Sequence, residues 1–202
     1  MSATLLVATH NAHKTAEMRE ILAAHFGTVA DLTRFPDLVP PEETGSTFAE
    51  NSEIKALAAS RAMPDAFVLA DDSGLEVDAL GGAPGIHSAR YSGEGATDAS
   101  NREKLLSELA KPEYADAPRT ARFRCVITVA KAGQTVAQFD GSVEGRIAGT
   151  MTGDGGFGYD PLFIPEGHEA SFGELPESVK NDMSHRARAL AKFVEWLAKN
   201  PC

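Results

Sequence analysis

Phe67-Val68-Leu69-Ala70-Asp71-Asp72-Ser73-Gly74 decides how the rest of the chain is read. Its first half is short and wholly apolar, which predicts a buried strand that ends abruptly at the paired aspartates. Nearer the N-terminus a similar run, Thr4 to Ala8 (TLLVA), meets the polar segment Thr9-His10-Asn11-Ala12-His13-Lys14. Beyond it Glu17, Met18, Ile21, Leu22 and His25 or Phe26 recur at helical spacing, so the order is strand, polar turn, helix. Pro36, Pro40 and Pro41 mark a loop. Thr47-Phe48-Ala49-Glu50 then has the form of a capping box, opening a helix through Ile54, Leu57 and Ala58 to about Ala62.

Downstream of the aspartates, Gly81-Gly82-Ala83-Pro84-Gly85 predicts an irregular loop, and Thr97 or Asp98 caps a helix carrying Leu105, Leu106 and Leu109. From Arg122, the partial alternation Phe123-Arg124-Cys125-Val126-Ile127-Thr128-Val129 suits a long strand with one well-buried face. Gly133-Gln134 reads as a turn into a partner strand near Thr135 to Asp140, with another near Ser142 to Ile147. Gly149 to Asp160 holds five glycines in twelve residues, too many for regular structure. The last helix has Ser184 as its N-cap and Leu190, Phe193, Val194 and Leu197 as one apolar stripe. Strands and helices that interleave early and give way to a hairpin-like middle predict an α/β protein with a mixed sheet. No linker divides the chain, so residues 1–202 are expected to form one domain.

The formal net charge of −10 argues against a nonspecific nucleic-acid binder, which needs excess Lys and Arg against the phosphate backbone. A nucleotide is a different matter, since a few local cations and one metal ion suffice to hold a triphosphate. Cys125 lies in an apolar run and Cys202 is the last residue, which predicts no disulfide and a reducing, cytoplasmic setting. Met1 to Ala8 lacks the basic region and cleavage pattern of a signal peptide, and no apolar run approaches the roughly 20 residues that span a bilayer.

Four segments carry candidate chemistry. A strand feeding a helix through Thr9 to Lys14 offers backbone N–H groups, a positive dipole end and the Lys14 charge to a phosphate, although the P-loop pattern is absent. That segment equally fits a capped helix start with a solvated lysine. Glu42-Glu43 and Asp71-Asp72 offer hard oxygen ligands of the type Mg²⁺ takes, one or two carboxylates beside phosphates and water. A solvated acidic turn is the alternative. Phe157 and Tyr159, framed by glycines and followed by Asp160-Pro161, offer flat surfaces to a base. Lys180, Ser184, His185 and Arg186 bring donors to the start of the last helix, where a basic first turn opposes the macrodipole and so needs an external partner.

In this order the segments resemble the Ham1/RdgB-type inosine triphosphate pyrophosphatase family. The resemblance rests on Ala8-Thr9-His10-Asn11 with Lys14, Glu42-Glu43-Thr44-Gly45, Phe48, Glu50-Asn51 with Lys55-Ala56, and Ala70 to Leu75. It continues in Gly81 to Gly85, Ser88 to Gly93, Gly156 to Pro161 and Ser184-His185-Arg186. It implies a long twisted mixed β-sheet flanked by helices, two lobes with an active-site cleft between them, and a homodimer. It also implies Mg²⁺-dependent hydrolysis of ITP, dITP and XTP to the monophosphate and pyrophosphate. By family pattern Thr9, His10, Asn11, Ala12, His13 and Lys14 grip the triphosphate, joined by Lys55. Asp72 is the catalytic position, and Glu43 with Asp72 serves the metal. Ser73, Phe157, Gly158, Tyr159, Asp160, Lys180, His185 and Arg186 line the nucleotide site. His10 stands where many members carry Gly, and Ser52 replaces a commoner Ala.

The mechanism expected is in-line attack by a water that Asp72 deprotonates, with Asp71 near the metal. His185 and Arg186 would donate to a 6-keto oxygen, so that a 6-amino group leaves a donor unpaired. A Maf-like nucleotide pyrophosphatase of other base preference and a nucleotide sensor without turnover are the alternatives. A sensor could dispense with the carboxylates, which are present.

Overall fold

The computed structural model describes residues 4–114 and 116–200, so the expectations on Met1 and Cys202 fall outside it. Six strands, β1 (Thr4–Val7), β2 (Thr28–Asp31), β3 (Phe67–Val77), β4 (Thr120–Lys131), β5 (Gln134–Ile147) and β6 (Phe163–Pro165), form one sheet in the order β2-β1-β3-β4-β5-β6. Among the described residues five α-helices accompany them: α1 (Ala12–Leu22), α2 (Phe48–Ala62), α3 (Asp98–Leu109), α4 (Glu177–Met183) and α5 (His185–Lys199). β1 runs parallel to both β2 and β3, whereas β5 and β6 are antiparallel. The sheet is therefore mixed, as expected. Among the described residues no helix is long and apolar enough to cross a membrane.

The chain resolves into two compact units. The first takes residues up to Asp72, Cys125–Gly141 and Arg186 onward; the second takes Ser73–Arg124 and Ser142–His185. In the first unit the period-two alternation of strand side chains sorts them onto two faces. Leu5, Val7, Leu69, Cys125, Ile127 and Val129 meet Met18 and Leu22 of α1 and Ala189, Leu190 and Phe193 of α5. Leu6, Ala8, Val68, Ala70 and Ala130 meet Ala56 and Ala59 of α2. Two covered faces explain why β4 is buried without a break from Cys125 to Ala130, where one buried face was expected. The second unit packs α3, through Leu105 and Leu109, against Leu75, Val77, Phe123, Phe163 and Phe172. There the alternation returns: Arg122 and Arg124 are half-buried, and Arg122 pairs with Asp78 and Glu144.

Local signals account for most element ends. Asn11 Oδ1 caps α1 by accepting from the N–H groups of His13 and Lys14. Thr47 caps α2, and the Glu50 carboxylate reaches back to the Ser46 N–H at 2.6 Å. Thr97, rather than Asp98, caps α3 in a reciprocal box with Ser100. The β4–β5 turn is Ala132-Gly133, one residue earlier than expected, with φ of 50° and 75°. Positive φ at both positions matches the right-handed twist of the flanking strands and favours glycine there. Three departures matter more. β3 does not stop at Ala70 but continues through both aspartates to Val77. Ser142 to Ile147 is no separate strand but the far end of β5. β2, β6 and α4 had no counterpart in the sequence reading.

Candidate active site

Because β3 runs on through Asp71 and Asp72, their side chains leave opposite faces of the strand. Asp71 follows Leu69 onto the face covered by α1 and α5, and Asp72 follows Ala70 onto the face covered by α2. Their partners differ accordingly. Asp71 Oδ2 lies 2.9 Å from Lys14 Nζ and 3.1 Å from Arg186 Nη2, and Arg186 Nη1 also donates to Glu17. Asp72 Oδ1 lies 2.8 Å from Lys55 Nζ, which is also 3.0 Å from Glu43 Oε1. The expected Asp71–Asp72 pair is thus two sites back to back, one held by Lys14 and Arg186 and one by Lys55.

The two carboxylates are tuned in opposite directions. Burial pushes Asp71 upward, but Lys14, Arg186 and Lys55 outweigh it and hold the carboxyl well below the usual range. Burial also pushes Asp72 upward; Lys55 opposes this, and the neighbouring Glu43 charge adds to it, so Asp72 ends above its ordinary value. Burial disfavours the Lys55 ammonium, yet Asp72, Asp71 and Glu43 reverse that and keep it protonated. Asp71 is therefore a fixed charge and Asp72 the group readier to take a proton, which is what a general base needs.

α2 builds the second of these sites from its inner face. Lys55 lies one turn after Asn51, which is fully buried and accepts from the Gly45 N–H at 2.8 Å. That bond ties down the irregular segment carrying Glu43. Nearby Ser52, the residue expected as a minor variation, shares a 2.7 Å hydrogen bond with Thr128.

The donor set suits a hard cation. Lys14, Lys55 and Arg186 are three cations facing four carboxylates, Glu17, Glu43, Asp71 and Asp72. Asp72 Oδ2 is buried and has no hydrogen-bond partner, a costly condition for a carboxylate oxygen. An ammonium already bridges Glu43 and Asp72, so the place is built for positive charge. Among the described residues there is no group of three His, Cys, Asp or Glu side chains able to hold a metal. Two carboxylates completed by phosphate oxygens and water fit Mg²⁺, whereas zinc would require a fuller protein cage.

The Thr9–Lys14 turn is solvent-facing at His10, Asn11, Ala12 and His13, with Thr9 and Lys14 half-buried. Its N–H groups are less available than the sequence suggested. Asn11 Oδ1 takes those of His13 and Lys14, and Thr9 Oγ1 takes that of Asn11 at 3.1 Å.

In the second unit Phe157, Asp160 and Lys180 come together. Lys180 Nζ is 2.7 Å from Asp160 Oδ2 and 4.4 Å from the centre of the Phe157 ring. The same oxygen accepts from the Phe157 N–H at 2.8 Å. Gly156 makes room for that carboxylate: a Cβ there would lie 2.2 Å from Asp160 Oδ2, and its φ is +70°. Gly156→Ala is expected to lower stability by about 2 kcal/mol, read as a lower urea midpoint, from overpacking added to backbone strain.

Tyr159, expected beside Phe157 as a flat surface for a base, lies in the core of the second unit. Its hydroxyl donates to the Ser88 carbonyl at 2.9 Å. His185 and Arg186 also differ from expectation. The buried His185 ring stacks on Phe123 at 4.9 Å within the second unit, while Arg186 is consumed by Glu17 and Asp71 in the first. The need for partners against the helix dipole is met inside the protein. Ser73 begins the second unit within β3, and Gly158 lies between Phe157 and Tyr159 in the loop. Glu17 was missed as a site residue; its signal was an acid standing in the apolar stripe of α1.

A family model described as "Ham1 family" matches residues 5–196. The chain is 48% identical over 191 residues to the dITP/XTP pyrophosphatase of Geobacillus kaustophilus, covering 95% of this chain and 92% of that protein. It is 45% identical over 192 residues to the dITP/XTP pyrophosphatase of Bacillus subtilis, covering 95% and 96%. Among solved structures it is similar to a HAM1 protein from Coxiella burnetii, with TM-score 0.87, 38% identity and coverage of 98% and 99%. The Ham1 protein of Staphylococcus aureus gives TM-score 0.85 and 37% identity, again covering 98% and 99%.

Proposed function

We infer the function of this chain from one premise: it belongs to the Ham1 family. It hydrolyses purine nucleoside triphosphates of the dITP and XTP type, ITP included, to the monophosphate and pyrophosphate, removing them from the nucleotide pool. Within that reading Asp72 is the general base. It orients a water, takes its proton, and the water oxygen forms a bond to the α-phosphorus as the bond to the bridging oxygen of pyrophosphate breaks. Lys14 and Lys55 hold positive charge against the departing phosphates. Glu43 and Asp72 would hold Mg²⁺, which when bound would supply further positive charge against the phosphate oxygens.

The observation that carries this reading is the state of Asp72. It is a buried carboxylate raised above its ordinary pKa, with one oxygen on Lys55 and the other without a partner. A purely structural ion pair has no use for that second oxygen. Base recognition rests on Phe157, a half-buried aromatic ring 4.4 Å from the Lys180 ammonium, of the type that stacks on a purine. Homodimerisation and a cytoplasmic setting, both implied by the family resemblance, belong to the same proposal.

The test is a steady-state comparison of dITP, XTP, ITP, GTP and ATP, with products resolved as pyrophosphate or phosphate. The expected result is one pyrophosphate per monophosphate, preference for the first three substrates, and complete loss of turnover in excess chelator with recovery on adding Mg²⁺. Release of single phosphate, or preference for ATP, overturns the reaction class. Full turnover in chelator overturns the metal assignment alone.

A further inference from the structure

Gly158 of the glycine-rich loop is held at both its N–H and its carbonyl, and the groups that hold it lie on α3. Its N–H donates to Asp98 Oδ2 at 2.7 Å, and its carbonyl accepts from Arg102 Nη1 at 2.6 Å. Asp98 and Arg102 stand four residues apart, so one face of a single helical turn grips the peptide groups on both sides of one residue. Asn101, between them in sequence, accepts from the Ser92 N–H at 2.7 Å and donates to the Ala89 carbonyl at 3.1 Å. Tyr159, the next residue of the loop, donates to the Ser88 carbonyl. The circuit closes: α3 holds Gly158, Gly158 leads to Tyr159, Tyr159 holds Ser88, and the adjacent Ala89 returns to α3.

The two bonds to Gly158 are not what buries the core. Leu105 and Leu109 already dock α3, while Asp98 is exposed and Arg102 half-buried. What they fix is the backbone that presents Phe157, in a stretch whose glycines would otherwise permit many conformations. We propose that Asp98 and Arg102 are positioning residues for the nucleotide base: by clamping Gly158 they hold the Phe157 ring in the orientation that stacks on the purine. This rests on the assignment of Phe157 to the base made above.

The consequence is specific to binding. If the clamp keeps nearly all molecules competent, releasing it multiplies the apparent affinity by the competent fraction that remains. Once the base is bound the loop is ordered again, so kcat changes little. Should that fraction fall to a tenth, Arg102→Ala and Asp98→Ala each raise KM for dITP about tenfold, with kcat kept within about twofold. Asp98→Asn retains an acceptor oxygen and restores a KM close to that of the unaltered protein. Inhibition by pyrophosphate alone, which has no base, is unchanged in all three.

Amide hydrogen exchange over residues 153–160 supplies a second readout independent of activity, expected to quicken about tenfold in both alanine variants. Unchanged KM and unchanged exchange overturn the clamp, and so does a loss confined to kcat. If the unaltered protein fails to prefer dITP over ATP, the functional reading falls first. The exchange rates then still decide whether Asp98 and Arg102 hold the loop.

Discussion

Asp72→Asn is expected to lower kcat for dITP by about 10²–10⁴-fold, the usual worth of a general base, with loss of metal affinity deepening the effect. The substitution keeps the shape of the side chain, so the fold is not what is tested. The sign of the stability change can be worked out. Burial raises the Asp72 pKa in the folded state above its unfolded value, so the contribution to stability is full below the unfolded pKa and lost as pH rises through the folded one. At neutral pH the ionised carboxylate therefore works against folding, and a neutral amide removes that opposition. Lys55 loses one partner but keeps Glu43. The urea midpoint of Asp72→Asn should thus match or exceed that of the unaltered protein while turnover collapses. Near-normal pyrophosphate release from a folded Asp72→Asn protein removes Asp72 from the chemistry.

The separation of Asp71 from Asp72 is written in the sequence only in part. Phe67 to Ala70 announced a strand, and period two would have sent Asp71 and Asp72 to opposite faces had the strand been carried past Ala70. It was stopped there because adjacent acids look like a turn. What permits them inside a strand is tertiary: Lys14 and Arg186 on one face, Lys55 on the other, from α1, α5 and α2. The same limit explains Tyr159. Phe157 and Tyr159 are equally aromatic and two residues apart, and only the packed core decides that Tyr159 is buried and Phe157 half-buried. β2, β6 and α4 were illegible for a simpler reason. They span four, three and seven residues, too short for periodicity to rise above chance. The long amphipathic helices α2, α3 and α5 and the apolar centre of β4 were legible because burial of one face is written into their spacing.

Arg186→Met is expected to destabilise the protein by about 3–5 kcal/mol, because it takes a buried cation away from the buried acids Glu17 and Asp71. Read from sequence, Arg186 was a donor to the base, and its loss would have raised KM. In the structure its guanidinium is 1% exposed and forks between two helices and the sheet, with Nη1 on Glu17 of α1 and Nη2 on Asp71 of β3. Asp71 keeps Lys14 at 2.9 Å, and Glu17, itself buried, loses its bond to Arg186. This gives the experiment its internal control. If the cost is an uncompensated charge, neutralising Glu17 in the same chain should return much of it, so Arg186→Met with Glu17→Gln must be more stable than Arg186→Met alone. If the cost is lost packing, the second substitution restores nothing and the two changes add. Urea unfolding of the two single variants and the double measures the coupling directly. A single-variant loss below about 1 kcal/mol would mean that the arginine is dispensable to the fold, and would return it to the nucleotide.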